Sequence, residues 1–513
     1  MSTTYMIGVD IGTTSTKAVL FEENGKVVAK ANEGYPLYTP TSSIAEQDPD
    51  LIFQAVIHTI KQVMAESGAT AEQVMFVSFS SAMHSVIAVD AECKPITACI
   101  TWADNRSAQW AAWLKANGGQ ALYERTGTPI HPMSPITKLM WLRHDDEERF
   151  RKASKFISIK EYVFAKLFGE YVIDYSIASA TGMMNLHKLD WDEEALKVAG
   201  VTPGQLSRLV PTTYALNSLK PSYAAEMGLS ASTPFIVGAS DGVLSNLGVN
   251  AIEPGVVAAT IGTSGAVRTV VDRPITDPKG RFFCYALTDK YWVIGGPVNN
   301  GGMLYRWVRD EFASAEVEAA ARLGIDSYDL LNQIAERVRP GADGLLFHPY
   351  LTGERAPLWN PDARGSFFGL TMHHKKEHLI RSVLEGVIFN LYTVLLAMEE
   401  QIGRPTKIQA TGGFARSFLW RQMMADIFDQ EVVVPESFES SCLGAVVLGL
   451  YGLGKIDSLS VVSNMVGATH SHKPNPEHAA VYHELLPIYI QISRKLEEEY
   501  TAIAKFQQKL FES

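Results

Sequence analysis

Asp10 stands two residues ahead of Gly12, and Gly12 opens a run of hydroxyl side chains, Thr13-Thr14-Ser15-Thr16. These residue types suit a metal-bound phosphate. A glycine lets backbone N–H groups come close to an anion, the hydroxyls add donors, and a carboxylate holds Mg²⁺ directly or through water. The flanking residues say how the run is held. Ile7, Val9 and Ile11 alternate before it, and Ala18, Val19, Leu20 and Phe21 resume after it. Met6–Glu22 therefore reads as a β-hairpin with Asp10 off the apolar face. Taken alone, the stretch also describes a surface hairpin with a Gly-Thr turn, because such residues gather in turns for backbone reasons.

The pattern returns. Val256–Ile261, then Gly262-Thr263-Ser264, then Gly265-Ala266-Val267 repeats strand, Gly-hydroxyl turn and strand, at an offset of 261 − 11 = 250 residues. Half the chain length separates the two, which points to two related halves, expected as residues 1–250 and 251–513. A strand at Pro234–Gly238 ends in Ser240-Asp241-Gly242, and Asp241 can serve as a general base or as a helix N-cap. Gly295–Gly302 is a Gly-rich turn feeding a helix over Met303–Glu311. Ile408–Thr411 runs through Gly412-Gly413-Phe414-Ala415 into the helix Phe418–Phe428, a place for a nucleotide to lie against bare backbone.

Other signatures fail. Gly449–Lys455 comes close to a P-loop, but Ile456 stands where a hydroxyl must reach the metal, and a helix rather than a strand precedes it. His374 and His378 lie one helical turn apart without a third ligand nearby, which describes a solvated helix start. The sequence contains no G-x-G-x-x-G, G-x-S-x-G or H-E-x-x-H, so a Rossmann hydride transfer, serine hydrolysis and zinc hydrolysis lose their usual support.

The elements that must position these groups alternate between strand and helix, which predicts an α/β architecture. Asp48 and Pro49 start a helix over Leu51–Ala65 that Gly68 can end. Val74–Phe79 and Val86–Asp90 read as strands, residues 129–233 as a mostly helical insertion, and His378–Glu400 as a long amphipathic helix. A helix starts near Cys442, and the tail Ala479–Phe511 reads as a helix pair broken near Pro487. A length of 513 residues calls for two or more domains. The net charge of −11 argues against general affinity for nucleic acid or anionic membrane. Four cysteines without a C-x-x-C pair, and a start lacking a basic or strongly apolar leader, lead to the expectation of a reduced, cytoplasmic protein.

Taken in this order, the motifs resemble the FGGY family of carbohydrate kinases, within the actin, hexokinase and chaperone-ATPase superfamily. The likeness covers nearly the whole chain. Residues 6–22 match the family's first phosphate motif and 258–268 the second; Gly365–Gly386 matches its carboxy-terminal signature and 411–417 its adenosine motif. The resemblance implies two actin-like (ribonuclease H-like) domains flanking a catalytic cleft, with ATP and Mg²⁺ as cofactors. It places Asp10 at the metal. Thr13, Thr14, Ser15, Lys17, Gly262 and Thr263 fall at the phosphates, with Gly302, Gly412, Gly413 and Ala415 along the nucleotide. Asp241 takes the place of the general base. Met83, His84, Trp102, Asp104 and Arg106 match the positions that contact the polyol. Lys17 either reaches a phosphate or closes the hairpin.

Within the family the opening hairpin, Ser78–Asp90 and Thr126–Leu142 look most like the bacterial gluconate-phosphorylating branch, which implies ATP plus D-gluconate going to 6-phosphogluconate. Another sugar of the family, xylulose or glycerol among them, is the near alternative. An actin-like assembly ATPase is the distant one, and it would lack the polyol residues. A carboxylate substrate calls for a cationic or donor-rich subsite, with His84, Arg106, His131 and Lys160 as candidates. A homodimer is plausible from the family.

Overall fold

The opening hairpin forms as expected, with strands β1 (Tyr5–Ile11) and β2 (Ser15–Glu22) antiparallel. Its turn is closed by Gly12 N–H donating to the Ser15 carbonyl at 3.0 Å. The computed structural model describes residues 3–435, 439–467 and 469–512, so Met1 and Ser2 of the opening run lie outside it. Strands β3 (Val27–Gly34), β4 (Val74–Ser81), β5 (Ala215–Leu216) and β6 (Phe235–Ser240) complete a six-stranded sheet in the order β5-β6-β4-β1-β2-β3. β4 runs parallel to both β1 and β6. Parallel strands need cover on both faces, and helices supply it. Helix α1 (Pro49–Ser67) starts where expected: the Asp48 carboxylate accepts from Asp50 N–H, Pro49 takes the first turn, and Gly68 ends it at φ 66°. Its Ile52, Phe53, Val56, Ile57, Ile60 and Val63 join the core with Ile7, Val9 and Ile11.

The other face is covered by helices α2 (Asp241–Gly248) and α3 (Ser440–Gly452). Glycine sets how near they come. A Cβ on Gly8 of β1 would lie 2.5 Å from the Cys442 carbonyl oxygen, and one on Gly444 would lie 2.0 Å from that of Leu244. This approach draws a late stretch of chain into the first unit, which comprises Met1–Glu253, Val270–Ile294 and Glu439–Gly467. The second unit comprises Pro254–Thr269, Gly295–Phe438 and Ala468–Ser513. The repeat alone suggested one cut near residue 250. Sequence periodicity carries no information about the later segments that return.

In the second half, β7 (Val256–Ile261) and β8 (Gly265–Val271) repeat the hairpin, with Ile261 opposite Gly265. With β9 (Phe283–Ala286), β10 (Trp292–Val298), β11 (Lys407–Thr411), β12 (Val432–Pro435) and β13 (Thr469–His472) they form a seven-stranded sheet in the order β9-β10-β8-β7-β11-β12-β13. The helix Lys376–Ile402 is long and apolar enough to cross a bilayer, but 83% of its apolar window is buried within the fold, as in a core helix. The tail departs from expectation. Pro487 sits inside a continuous helix, Pro476–Lys495, and the break falls at Leu496. A proline in a helix interior costs about 3 kcal/mol. Burial of Tyr482, Leu486 and Tyr489 on the same face offsets it.

Candidate functional site

In the first unit the strand ends around Gly12 converge. Asp10 has Lys17 of β2 and Ser80 of β4 as its backbone neighbours. The Ser80 hydroxyl donates to Asp10 Oδ1 at 2.7 Å. Burial pushes the Asp10 carboxyl above the usual carboxylate range, against the opposing pull of the Ser80 bond and the Lys17 charge. Oδ2 has no hydrogen bond among the described residues, so a cation there would restore what burial removes. Among the described residues no group of three or more His, Cys, Asp or Glu could hold a metal. The single Asp10 carboxylate suits Mg²⁺, which keeps several waters and takes one or two protein carboxylates along with substrate phosphates. Lys17 is paired with Glu439 at 2.7 Å, and this pairing outweighs burial and raises the lysine's pKa.

The hydroxyl run is fixed from behind. The Tyr35 hydroxyl donates to the Gly12 carbonyl at 2.6 Å, and Tyr35 N–H donates to that of Thr14 at 3.1 Å. Gln47 Nε2–H donates to the Thr13 carbonyl at 2.6 Å, and Trp102 Nε1–H to Thr13 Oγ1 at 2.9 Å. Thr14 is exposed and Ser15 half-buried. Thr13, Met83, Trp102 and Gln47 line one small cavity of about 10 Å³.

The residues matched to polyol-contacting positions take different stations. His84 adopts φ 68° and is 7% exposed; its Nδ1–H donates to the Ala180 carbonyl at 2.9 Å. Asp104 is 1% exposed and accepts from Ala45 N–H at 3.0 Å and from Arg106 Nε–H at 3.0 Å. Arg106 also reaches Glu46 and stacks 4.4 Å over the Trp141 ring, and its carboxylate partners raise its pKa against burial. His131 Nδ1 accepts from Met133 N–H at 3.1 Å. Lys160 lies 2.6 Å from Asp174, with both side chains nearly fully buried. Of the four candidates for a substrate carboxylate, Arg106 and Lys160 thus already carry a protein carboxylate as partner.

Asp241 is the first residue of α2, half-buried, and its Oδ1 accepts from Gly242 N–H at 2.6 Å. A helix N-terminus favours an anion. Lys160 holds the preceding strand end by donating to the Ala239 carbonyl at 3.3 Å, and the Asp241 charge acts on that lysine.

The second unit builds its site from backbone. Gly262 N–H donates to the Ser264 carbonyl at 2.9 Å, and the turn at Gly301–Met303 grips the same hairpin. Gly301 N–H and Met303 N–H donate to the Thr263 carbonyl, each at 3.2 Å, and Gly302 N–H to that of Gly262 at 2.7 Å. A Cβ on Gly302 would stand 2.7 Å from the Gly262 oxygen. Gly412 turns at φ 105° with its Cα hydrogens against Ile261, whereas Gly413 has nothing within 4 Å of a Cβ position. Ala415, buried, closes the turn by donating to the Gly412 carbonyl at 3.0 Å.

Three further residues carry these arrangements and were not singled out as site residues from sequence. Gln47 directly precedes the Asp48-Pro49 helix start and carries no signal of its own. Lys138 is 1% exposed and donates to the carbonyls of His84, at 2.8 Å, and Met133. Its signal was a lysine amid Ile136, Leu139, Met140 and Leu142. Glu354, fully buried, has no local signal of its own.

With both hairpins, the carboxylate at a helix start and the double-glycine turn in place, the family comparison agrees. Residues 5–248 match the N-terminal domain of the FGGY family of carbohydrate kinases and residues 257–453 its C-terminal domain. The chain belongs to that family. It is 65% identical over 99% of both chains to a gluconokinase of Bacillus subtilis (strain 168). Among solved structures, it covers 98% of its length on a gluconate kinase from Lactobacillus acidophilus, at TM-score 0.93 and 39% identity over all of that chain. A ligand-bound xylulose kinase from the same organism matches at TM-score 0.92 and 40% identity, with 98% and 100% covered. The two likenesses are near-equal although the kinases are named for different sugars.

Proposed function

We propose that this protein transfers the γ-phosphoryl group of ATP to the C6 hydroxyl of D-gluconate, giving 6-phospho-D-gluconate and ADP. The observation that carries the choice of gluconate is the near-full-length, high identity to a named gluconokinase. In this reading Asp241 accepts the proton of the C6 hydroxyl as its oxygen attacks the γ-phosphorus, the new O–P bond forms, and the bond to the β-phosphate oxygen breaks. An alcohol is a poor nucleophile, and a carboxylate within hydrogen-bond reach orients it and takes its proton. The Gly242 N–H, in the first turn of α2, donates to that carboxylate and holds its orientation.

Thr13, Thr14, Ser15, Gly262 and Thr263 receive the phosphates. Gly302, Gly412, Gly413 and Ala415 line the nucleotide, as their open or closely packed backbone allows. Asp10 would hold Mg²⁺ through the oxygen that Ser80 leaves unbonded, and the bound ion would neutralise phosphate charge. Lys17 is proposed to brace the hairpin through Glu439 instead of reaching a phosphate. Met83, His84 and Trp102 face the sugar, while Asp104 acts by holding Arg106 in place. Arg106 offers the polyol its remaining N–H edge.

The test is ADP release from purified protein against a panel of D-gluconate, D-xylulose and glycerol. Gluconate should win by a wide margin in kcat/KM; a ketopentose or glycerol ranking first overturns the acceptor, and sugar-independent turnover favours an assembly ATPase. Asp241→Asn should lower kcat by about 10²–10⁴ with gluconate binding retained, and near-normal kcat removes Asp241 as the base.

A further inference from the structure

Glu354 lies in the second unit and is 0% exposed. Its carboxylate gathers four donors. Oε1 accepts from Asn299 N–H and, at 2.8 Å, from Arg355 N–H; Oε2 accepts from Asn300 Nδ2 at 3.1 Å and Asn390 Nδ2 at 2.8 Å. Asn299 and Asn300 immediately precede the turn whose N–H groups hold the carbonyls of Gly262 and Thr263. Gly262 N–H closes the hairpin on Ser264. Tying back the Gly262 and Thr263 carbonyls orients the peptides whose N–H groups, those of Thr263 and Ser264, lie on the other side, which is the arrangement an anion requires.

We infer that Glu354 is a positioning residue for the nucleotide. It fixes the Asn299–Gly302 turn, and the turn fixes the peptide orientation of the 262–264 hairpin. This rests on the proposed reading of that hairpin as a phosphate cradle. Glu354 touches neither phosphate nor sugar in this account. Its burial raises the carboxyl above the usual range, while the converging donors and Arg355 favour the ionised form.

The hydrogen-bond pattern predicts which substitution is selective. In Glu354→Gln the amide oxygen stays on Asn299 and Arg355, so the NH₂ group meets two donors. Asn390 can adapt, because its Oδ1 has no partner and its amide can turn over to accept. Asn300 cannot: its Oδ1 already accepts from Thr352 N–H at 3.3 Å and Thr352 Oγ1–H at 3.1 Å, and its Nδ2 donates to the Gly353 carbonyl at 2.8 Å. The donor–donor conflict therefore falls on the turn itself.

The experiment titrates ADP, Mg-ATP and D-gluconate separately into wild type, Glu354→Gln, Glu385→Gln and Gly262→Asp, with the melting temperature of each. Glu385 is an equally buried carboxylate of the same unit that binds Gly341 N–H, Arg381 and Tyr482, away from the turn. Glu354→Gln should weaken both nucleotides at least tenfold and leave gluconate affinity within twofold, while Glu385→Gln lowers the melting temperature without that selective loss. Nucleotide affinity within twofold of wild type in Glu354→Gln, or an equal loss for gluconate, overturns the inference. Should the amide variant not fold, Glu354→Asp, with its acceptors withdrawn by one methylene, must show the same selective loss or the inference fails. Gly262→Asp tests the underlying reading alone. Its Cβ has open space, with the Ser264 carbonyl oxygen 3.9 Å away, so unimpaired nucleotide binding there refutes the phosphate cradle and not the coupling through Glu354.

Discussion

Replacing Lys138 by methionine should change how the stability of the protein depends on pH. The Lys138 ammonium is 1% exposed and donates to two backbone carbonyls, and burial lowers its pKa from 10.5 to about 7. Asp104 acts to raise it and Arg106 to lower it. Burial holds the Cys99 thiol up at about 12, so that group stays neutral through the range of interest. The sign follows from proton counting. Between about pH 7 and 10.5 the unfolded chain keeps a proton on Lys138 that the folded chain releases, so stability rises with pH over that window; below pH 7 both states are protonated and the contribution is flat. Each pH unit inside the window is worth up to 1.36 kcal/mol. Allowing for partial protonation at the lower end, wild type should gain about 2 kcal/mol from this group between pH 7 and pH 9. Methionine fills similar space, strands two carbonyls and removes the buried charge. The substitution should therefore cost about 2 kcal/mol more at pH 9 than at pH 7. Urea unfolding of both proteins at the two pH values measures this, because every other titrating group is common to both and cancels. An equal cost at pH 7 and pH 9 would refute the reasoning.

The two adjacent glycines of the late turn should separate stability from nucleotide binding. Gly412→Ala forces φ 105° on a residue with a Cβ 2.4 Å from the Ile261 carbonyl oxygen, so its melting temperature should fall by several degrees. Gly413→Trp has room for its Cβ and should melt near wild type while raising KM for ATP at least tenfold, as thermal denaturation and ADP-release kinetics would show. Arg106→Lys keeps the charge but loses the planar fork that meets Asp104 and Glu46 and stacks on Trp141. Its KM for gluconate should rise at least fivefold with KM for ATP unchanged; an unchanged gluconate KM would take Arg106 out of the acceptor side.

Both hairpins were legible in the sequence because the signal is local. Apolar alternation marks the strands and Gly-hydroxyl runs mark the turns, and the repeat at an offset of 250 residues reinforced each with the other. The cap of α1 was legible for the same reason. What sequence could not supply were partners distant in the chain. Lys17 finds Glu439 across 422 residues, Trp102 finds Thr13 across 89, and Lys138 finds the His84 carbonyl across 54. Pairing at that range follows from sheet order and from close glycine approaches such as Gly8 to Cys442, which no periodicity encodes. Pro487 misled for the opposite reason: a local helix-breaking rule was outweighed by tertiary burial of its helix.

The charge arrangement explains why backbone carries so much of the proposed phosphate site. The protein has a net charge of −11, and the cations near the first hairpin and the proposed acceptor residues are already matched: Lys17 by Glu439, Arg106 by Asp104 and Glu46, Lys160 by Asp174. A matched cation fixes geometry but offers a polyanion little net attraction. Lys138 has carbonyls, not a carboxylate, as its direct partners, those of Met133 and of His84, the latter a proposed acceptor residue. On the proposed reading, the nucleotide phosphates meet oriented N–H groups and a divalent ion, while the one buried ammonium without a carboxylate contact among the described acceptor-side residues lies beneath the sugar. Backbone dipoles and a metal serve the nucleotide whatever the acceptor, whereas Lys138, in its protonated form below about pH 7, would favour a sugar acid over a neutral polyol. On that reading a preference for gluconate would weaken as pH rises through about 7 and Lys138 loses its proton.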